Sequence, residues 1–330
     1  MRIHYSLGLL LLAPVLLAVT GSTAYAQDAS SLVPKGLIRL GSGGYFSPYA
    51  LVVDKKARLL SVWKQDGAKL SKVTEFPSDM GKNSGDKDSE GDHKTPEGIY
   101  FLQKLLEGPG LPYDLYGQRA FTMDYPNVFD RRLGKGGSGI WLHAIPDKVS
   151  LERGSRGCVV VRNEAIMKLS EYITPEKTPI IVYESVNYAD ETERQKTVRE
   201  IEDWLARWVA AWRTKNLEQY MAFYSGSFSG AGMNFSQWKK HKENLNATYQ
   251  TIEVDLFAPV IYEHAKGWVV RSLQGYRSDK HEDFGEKTLY LQKENGMLKI
   301  IEERWAAVER DEKIQNLAKC CEPMAAASNN

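Results

Sequence analysis

The chain has 330 residues, with 43 Lys or Arg against 42 Asp or Glu, and this balance leaves no electrostatic footprint for nucleic acid. It argues equally little for a membrane surface. The length allows two domains with sizeable cores. Three cysteines, Cys158, Cys320 and Cys321, are too few and too unevenly placed for a disulfide framework.

Residues 1–26 read as a signal peptide. Arg2 precedes the apolar run "LGLLLLAPVLLAV", and "AYA" at 24–26 is a small-residue cleavage pattern. The run is short for a bilayer span. The expectation is an exported, periplasmic protein with no membrane insertion once the signal is removed. Residues 27–47 read as an N-terminal linker. "YALVVDKKARLLSVWKQDGAKLSKVTEF" (49–76) then predicts strands joined by short turns, from its β-branched runs and its "KKA" and "QDG" breaks. The polar, glycine-rich start of 81–102 predicts a loop, with "TPEG" (95–98) as a β-turn before the strand "IYFL".

Six Gly and Pro positions and a "GKGGSG" run make 103–138 read as an irregular binding wall, with Tyr113, Tyr116, Phe121 and Tyr125 facing the cleft. "GIWLH" (139–143) and "CVVV" (158–161) predict buried strands, Asn163 a helix cap, and "TPIIVY" (178–183) a strand closing the sheet. From about 190 the period changes. Val198, Ile201, Leu205, Trp208 and Trp212 recur at helical spacing, two shorter helices follow, and four strands end the domain. Helices followed by a strand meander predict a separate α+β domain. The polar tail 311–330 carries the adjacent Cys320 and Cys321.

The chemistry concentrates in one stretch. His143 and Cys158 are fifteen residues apart, each at the end of an expected strand. Adjacent strands run about 4.8 Å apart, so two such side chains on one face come within hydrogen-bonding reach. A histidine there favours the thiolate, the actual nucleophile. Gly157 allows a sharp turn whose amides, around Gly157 and Cys158, point at a developing oxyanion. Residue types alone leave a second reading open, an inert buried cysteine.

"IWLHAIPDKVSLERGSRGCVVVRNEAI" resembles the signature of L,D-transpeptidases of the YkuD type: a histidine, a variable loop, Ser-x-Gly-Cys, and an Asn opening a helix. "GKNSGDKDSEGDHKTPEGIY" resembles the glycine-rich stretch upstream of it in that family. The resemblance covers about 48–184. It implies a β-rich, β-sandwich-like catalytic domain without metal or cofactor, acting on peptidoglycan stem peptides. Cys158 would be the nucleophile, His143 its base, and Ser155 and Gly157 part of the oxyanion turn. The chain departs from the pattern at Arg156, where many members have His, and at Val160, where many have Arg. Arg156 or Arg162 would then supply the charge for a stem carboxylate, and Asn163 completes the candidate substrate-binding set.

Residues 190–310 resemble an NTF2-like fold, whose cone holds a ligand or serves for dimerisation, so a homodimer through this domain is one expectation. Tyr262, His264 and Trp268 could line the cone, although aromatics in strands more often pack as core. The two-domain order is similar to that of the cell-shape L,D-carboxypeptidases of helical bacteria. The implied reaction is attack on the bond between the L-centre of the third stem residue and a terminal D-alanine. An amine acceptor makes a transpeptidase, and water makes a carboxypeptidase that trims tetrapeptide to tripeptide. Two further readings are a hydrolase releasing stem-linked protein and a scaffold with a dead site.

Overall fold

The structure is a computed structural model and describes residues 32–42 and 44–309 together with Met1. The expected signal peptide, the start of the linker, the tail and the Cys320–Cys321 pair lie outside the described residues.

In chain order, the first half contains β1 (Val33–Pro34), β2 (Leu37–Arg39), β3 (Tyr49–Asp54), β4 (Leu59–Asp66), β5 (Lys69–Pro77) and β6 (Gly98–Glu107). It continues through α1 (Tyr113–Tyr116), β7 (Arg119–Met123), α2 (Val128–Arg132), β8 (Trp141–Ile145), β9 (Val159–Arg162), α3 (Asn163–Ser170) and β10 (Pro179–Tyr183). The second half contains β11 (Tyr188–Ala189), α4 (Glu191–Arg213), α5 (Leu217–Met221), β12 (Tyr224–Gly230), β13 (Met233–Asn234) and α6 (Phe235–Thr248). Four long strands end it: β14 (Ile252–His264), β15 (Gly267–Ser278), β16 (Glu282–Glu294) and β17 (Met297–Ala307).

The first sheet has eight strands in the order β5-β4-β3-β10-β6-β7-β8-β9. Leu51 and Val53 of β3, Leu102 of β6, Leu142 of β8 and Val159 and Val161 of β9 share one buried cluster with Ile166 and Leu169 of α3. Alternating apolar positions thus place both halves of the sheet on a common core. β10 does not close the sheet. It runs between β3, to which it is parallel, and β6, and its Ile180, Ile181 and Val182 are wholly buried. A strand buried on both faces reads as a continuous apolar run, so the sequence shows the strand and not its place.

Two expectations fail between 95 and 138. Thr95–Glu97 is not a turn; it runs into β6, and the Thr95 hydroxyl accepts the Gly81 amide at 2.8 Å. The stretch after it is not irregular, because β7 sits between β6 and β8 and two short helices flank it. Phe121 and Tyr125 therefore belong to the core rather than to a cleft wall, the Tyr125 hydroxyl donating to the Gly136 carbonyl. The glycines and prolines punctuate short elements in this stretch instead of replacing them.

The second sheet has seven strands, ordered β13-β12-β17-β16-β15-β14-β2. α4 starts at Asp190, whose carboxylate accepts the Glu193 amide at 2.8 Å. Its Trp stripe enters the core as the period predicts, Trp208 and Trp212 packing on Tyr220. Each buried tryptophan removes enough apolar surface to contribute roughly 4–6 kcal/mol before ordering costs. β2 adds to the edge of β14, so part of the expected linker is a strand of the second domain's sheet. Among the described residues, no helix is long and apolar enough to cross a membrane.

Candidate active site

β8 and β9 are parallel neighbours, with His143 in register with Val160. Cys158 immediately precedes β9, two residues before Val160, and so shares the face on which His143 lies. His143 sits within β8 rather than at its end. Both residues line one cleft of about 560 Å³, together with Tyr116, Gly139, Ser155 and Arg156. The sequence-predicted pair is thus brought together.

The imidazole is 3% exposed. Its Nδ1 lies 2.6 Å from the Ala144 carbonyl oxygen, which can only accept, so Nδ1 carries the proton and Nε2 holds the free lone pair. The Tyr116 ring meets it edge-on, with centroids 5.1 Å apart. Burial, opposed by the Ala144 bond and assisted by the Arg153 charge, lowers the His143 pKa to about 4. Burial also pushes the Cys158 thiol above its ordinary 9.0, while a backbone hydrogen bond from Trp141 and the charges of Arg156 and Lys87 pull it back. Cys158 Sγ is 3.7 Å from the Gly139 carbonyl. Both shifts favour the uncharged forms, a thiol and an imidazole lining the same cleft, over the standing thiolate that the pairing alone suggests.

The turn before Cys158 is held from inside. Ser155 Oγ donates to the Cys158 carbonyl at 2.7 Å and accepts the Gly157 amide at 3.0 Å. That bond engages the Gly157 N–H, which is therefore not free to meet an oxyanion. Gly157 has φ +128°, and a Cβ there would stand 2.7 Å from the Lys94 carbonyl oxygen. Asp79, which sequence reasoning missed, anchors the same turn. Its carboxylate accepts from Gly154 N at 2.7 Å and from Arg58 at 2.8 Å, and its backbone pairs with Val160. No motif marks Asp79; only the pairing of residues 79–82 with Val160 of β9 and with Ser155 in the turn before it explains it.

The other expected binding residues divide. Arg156 lies exposed on the cleft. Arg162 does not line it, because its guanidinium donates to the carbonyls of Pro146, Asp147 and Val149, the last at 2.6 Å. Asn163 is not a cap: the N-cap position is Arg162. The buried Asn163 amide instead accepts from Gln118 N at 2.9 Å and donates to the Tyr113 hydroxyl, fixing the segment that carries Tyr116.

The cleft walls are residues 82–93 and 137–140. Lys87 stiffens the first, bonding Asp92 at 2.7 Å and the Ser89 carbonyl. The Gly136 amide donates to the Asp88 carbonyl at 2.9 Å, tying the two walls together.

Tyr262, His264 and Trp268 pack as core, the commoner expectation for aromatics in strands, rather than lining a cone. Tyr262 packs on Phe101 and His264 on Tyr183, both against the catalytic domain. Buried polar groups of the second domain include Lys242, whose ammonium lies 3.9 Å from the Trp212 ring and 4.6 Å from that of Trp238. Burial lowers this amine to about 7, against the pull of Glu303. Glu303 itself pairs with Lys287 at 2.9 Å.

Residues 48–182 match the L,D-transpeptidase catalytic domain of the YkuD family, and residues 200–304 match the Cds6 C-terminal NTF2-like domain. The solved structure of Bdellovibrio bacteriovorus Bd1075 is 46% identical, with TM-score 0.78, over 85% of this chain and 100% of that one. The helical cell shape determining protein Pgp2 of Campylobacter jejuni is 27% identical, with TM-score 0.64, over 82% of this chain and 95% of that one. YafK of Escherichia coli K12, which bears the L,D-transpeptidase designation, is 26% identical over 133 residues, 39% of this chain. The chain spans about half the length, 48%, of that relative. The histidine–cysteine cleft on β8 and β9 thus lies in a domain of known family, and the chain belongs to the YkuD L,D-transpeptidases, with an NTF2-like domain following the catalytic one.

Proposed function

We propose that this protein is a periplasmic cysteine acyl transferase that opens the bond between the third residue and the terminal D-alanine of a peptidoglycan tetrapeptide stem, with water as the acceptor. The observation that carries the choice of water is the cleft. About 560 Å³, with its walls tied together through Asp88 and Gly136, suits the end of one stem and not two bulky stems at once.

In this reading Cys158 Sγ attacks the carbonyl carbon of the third residue while His143 Nε2 takes the thiol proton. The Cys158 amide, on the turn that Ser155 and Gly157 shape, faces the oxyanion. The C–N bond breaks, His143 returns the proton to the leaving amine, and D-alanine departs from a thioester. Water then attacks, its proton passing to His143, and the tripeptide leaves as Cys158 recovers the thiol. Arg156 at the cleft mouth pairs with a stem carboxylate.

The family match favours a second reading, transfer to the amine of another stem. Incubation with purified tetrapeptide muropeptides, followed by mass analysis, separates the two. Tripeptide with free D-alanine is expected, and a 3→3 dimer as the main product would overturn the choice of water. Cys158→Ala should abolish either reaction.

A further inference from the structure

We infer that Lys266, from the second domain, is a positioning residue for the catalytic cleft. It lies in the hairpin turn between β14 and β15, far from Cys158 in sequence, and its side chain is 12% exposed. Its ammonium crosses into the catalytic domain and meets three acceptors there. They are Asp86 at 3.0 Å, Asp130 at 3.0 Å, and the Glu97 carbonyl. The Lys266 carbonyl accepts from Gln292 at 3.0 Å, which fixes the turn from behind.

Asp86 lies in the segment of the first wall, and Asp130 lies in α2, which leads into the second. Asp86 lies in the segment that supplies Lys87, Glu90 and His93, and it accepts the Glu97 amide at 2.8 Å. Asp130 is wholly buried in α2, just ahead of Gly136 and Gly137, and accepts the Tyr100 hydroxyl at 2.9 Å. Lys135 bridges the same two carboxylates. Two lysines thus balance two aspartates, and one of the lysines comes from outside the catalytic domain. Without Lys266, the buried Asp130 and the part-exposed Asp86 share the single ammonium of Lys135, and the two like charges repel. The walls they carry would separate with them. The first wall continues directly to the nucleophile's turn, since Lys94 O touches Gly157 and Lys82 N donates to Ser155 O at 2.9 Å.

The inference rests on the catalytic role proposed for Cys158. Its test compares full-length wild type, Lys266→Met and Lys266→Met/Asp86→Asn, the last restoring charge balance. Two quantities are read: the rate of Cys158 alkylation by iodoacetamide, from intact mass, and kcat and KM on tetrapeptide muropeptides. Lys266→Met should change the alkylation rate about fivefold and lower kcat/KM about tenfold or more, as a misplaced wall predicts. The balanced double variant should return both to within about threefold of wild type, a recovery that lost packing would not give. Wild-type values in Lys266→Met overturn the inference, and so does a defect the double variant fails to relieve. If Lys266→Met does not fold, the double variant decides alone, near-wild-type rates supporting the inference and lost rates overturning it. A wild type that trims no muropeptide refutes the proposed reaction, while the alkylation series still judges Lys266.

Discussion

The pH dependence of Cys158 follows from the two buried groups of the cleft. His143 titrates at about 4 rather than 6.5, so at pH 7 only about one imidazole in a thousand is protonated. Cys158 lies above its ordinary 9.0, so fewer than about one thiol in a hundred is ionised there. Moving the proton from sulfur to Nε2 in the resting site therefore runs uphill by at least about 5 units, roughly 7 kcal/mol before the new charges attract. A standing ion pair is too costly, and the proton must move as sulfur attacks.

The assay is the rate of alkylation of Cys158 across pH 4–10, beside kcat/KM for stem trimming. Alkylation should climb about tenfold per pH unit through neutrality with no plateau. Its profile should change little in His143→Ala, whereas turnover in that variant falls by about 10²-fold or more. The acid limb of kcat/KM should fall near pH 4. An alkylation plateau between pH 5 and 8 that disappears in His143→Ala would refute this reasoning and restore the thiolate–imidazolium pair.

Three further outcomes follow. Ser155→Ala removes the hydroxyl that joins Gly157 N to the Cys158 carbonyl, so turnover should fall about tenfold or more while far-ultraviolet dichroism stays unchanged. Arg156→Ala should raise KM for stems about tenfold, whereas Arg162→Ala should leave KM unchanged and lower stability by about 1–2 kcal/mol in urea, because Arg162 ties backbone carbonyls together. For Lys242, whose pKa is lowered to about 7 from 10.5, the unfolded chain binds the proton more tightly. Native stability is therefore fully present only above about 10.5, is lost as pH falls to about 7, and is flat below. Lys242→Met should then raise stability by about 1–4 kcal/mol at pH 6 and by little at pH 10, measured by chemical denaturation.

What the sequence made legible is what local pattern encodes. The helical stripe from Val198 to Trp212, the long strands after 252 and the His143–Cys158 spacing each lie within one element or one loop. What it hid depends on partners distant along the chain. Arg162 and Arg156 are alike on paper, yet one faces three carbonyls from 146–149 and the other faces the cleft. Asn163 has the residue type of a cap and spends its amide on Gln118 and Tyr113, some forty-five and fifty residues back. Asp79 and Lys266 carry no motif, since their roles consist wholly of contacts made after folding.

The same distance argument explains why two domains on paper become one framework in space. Ile99 and Phe101 of β6 share a buried cluster with Tyr262 of β14, Val269 and Leu273 of β15, and Ile301 of β17. Arg271 of β15 donates to the Glu176 carbonyl at 2.7 Å, and Lys177 pairs with Glu286 of β16 at 2.7 Å. An interface this apolar resembles a core cut in half rather than the polar contact of domains that move freely. β2 joins the far sheet before the chain has built the near one, so the second sheet is completed by residues from the start of the sequence. Tyr262 and His264, strand aromatics for which core packing is the commoner expectation, are for this reason mortar between the sheets. Lys266, two residues beyond His264 and at the tip of the same hairpin, is thereby held at a fixed height above the cleft walls, and that fixed height is what lets one ammonium set their spacing.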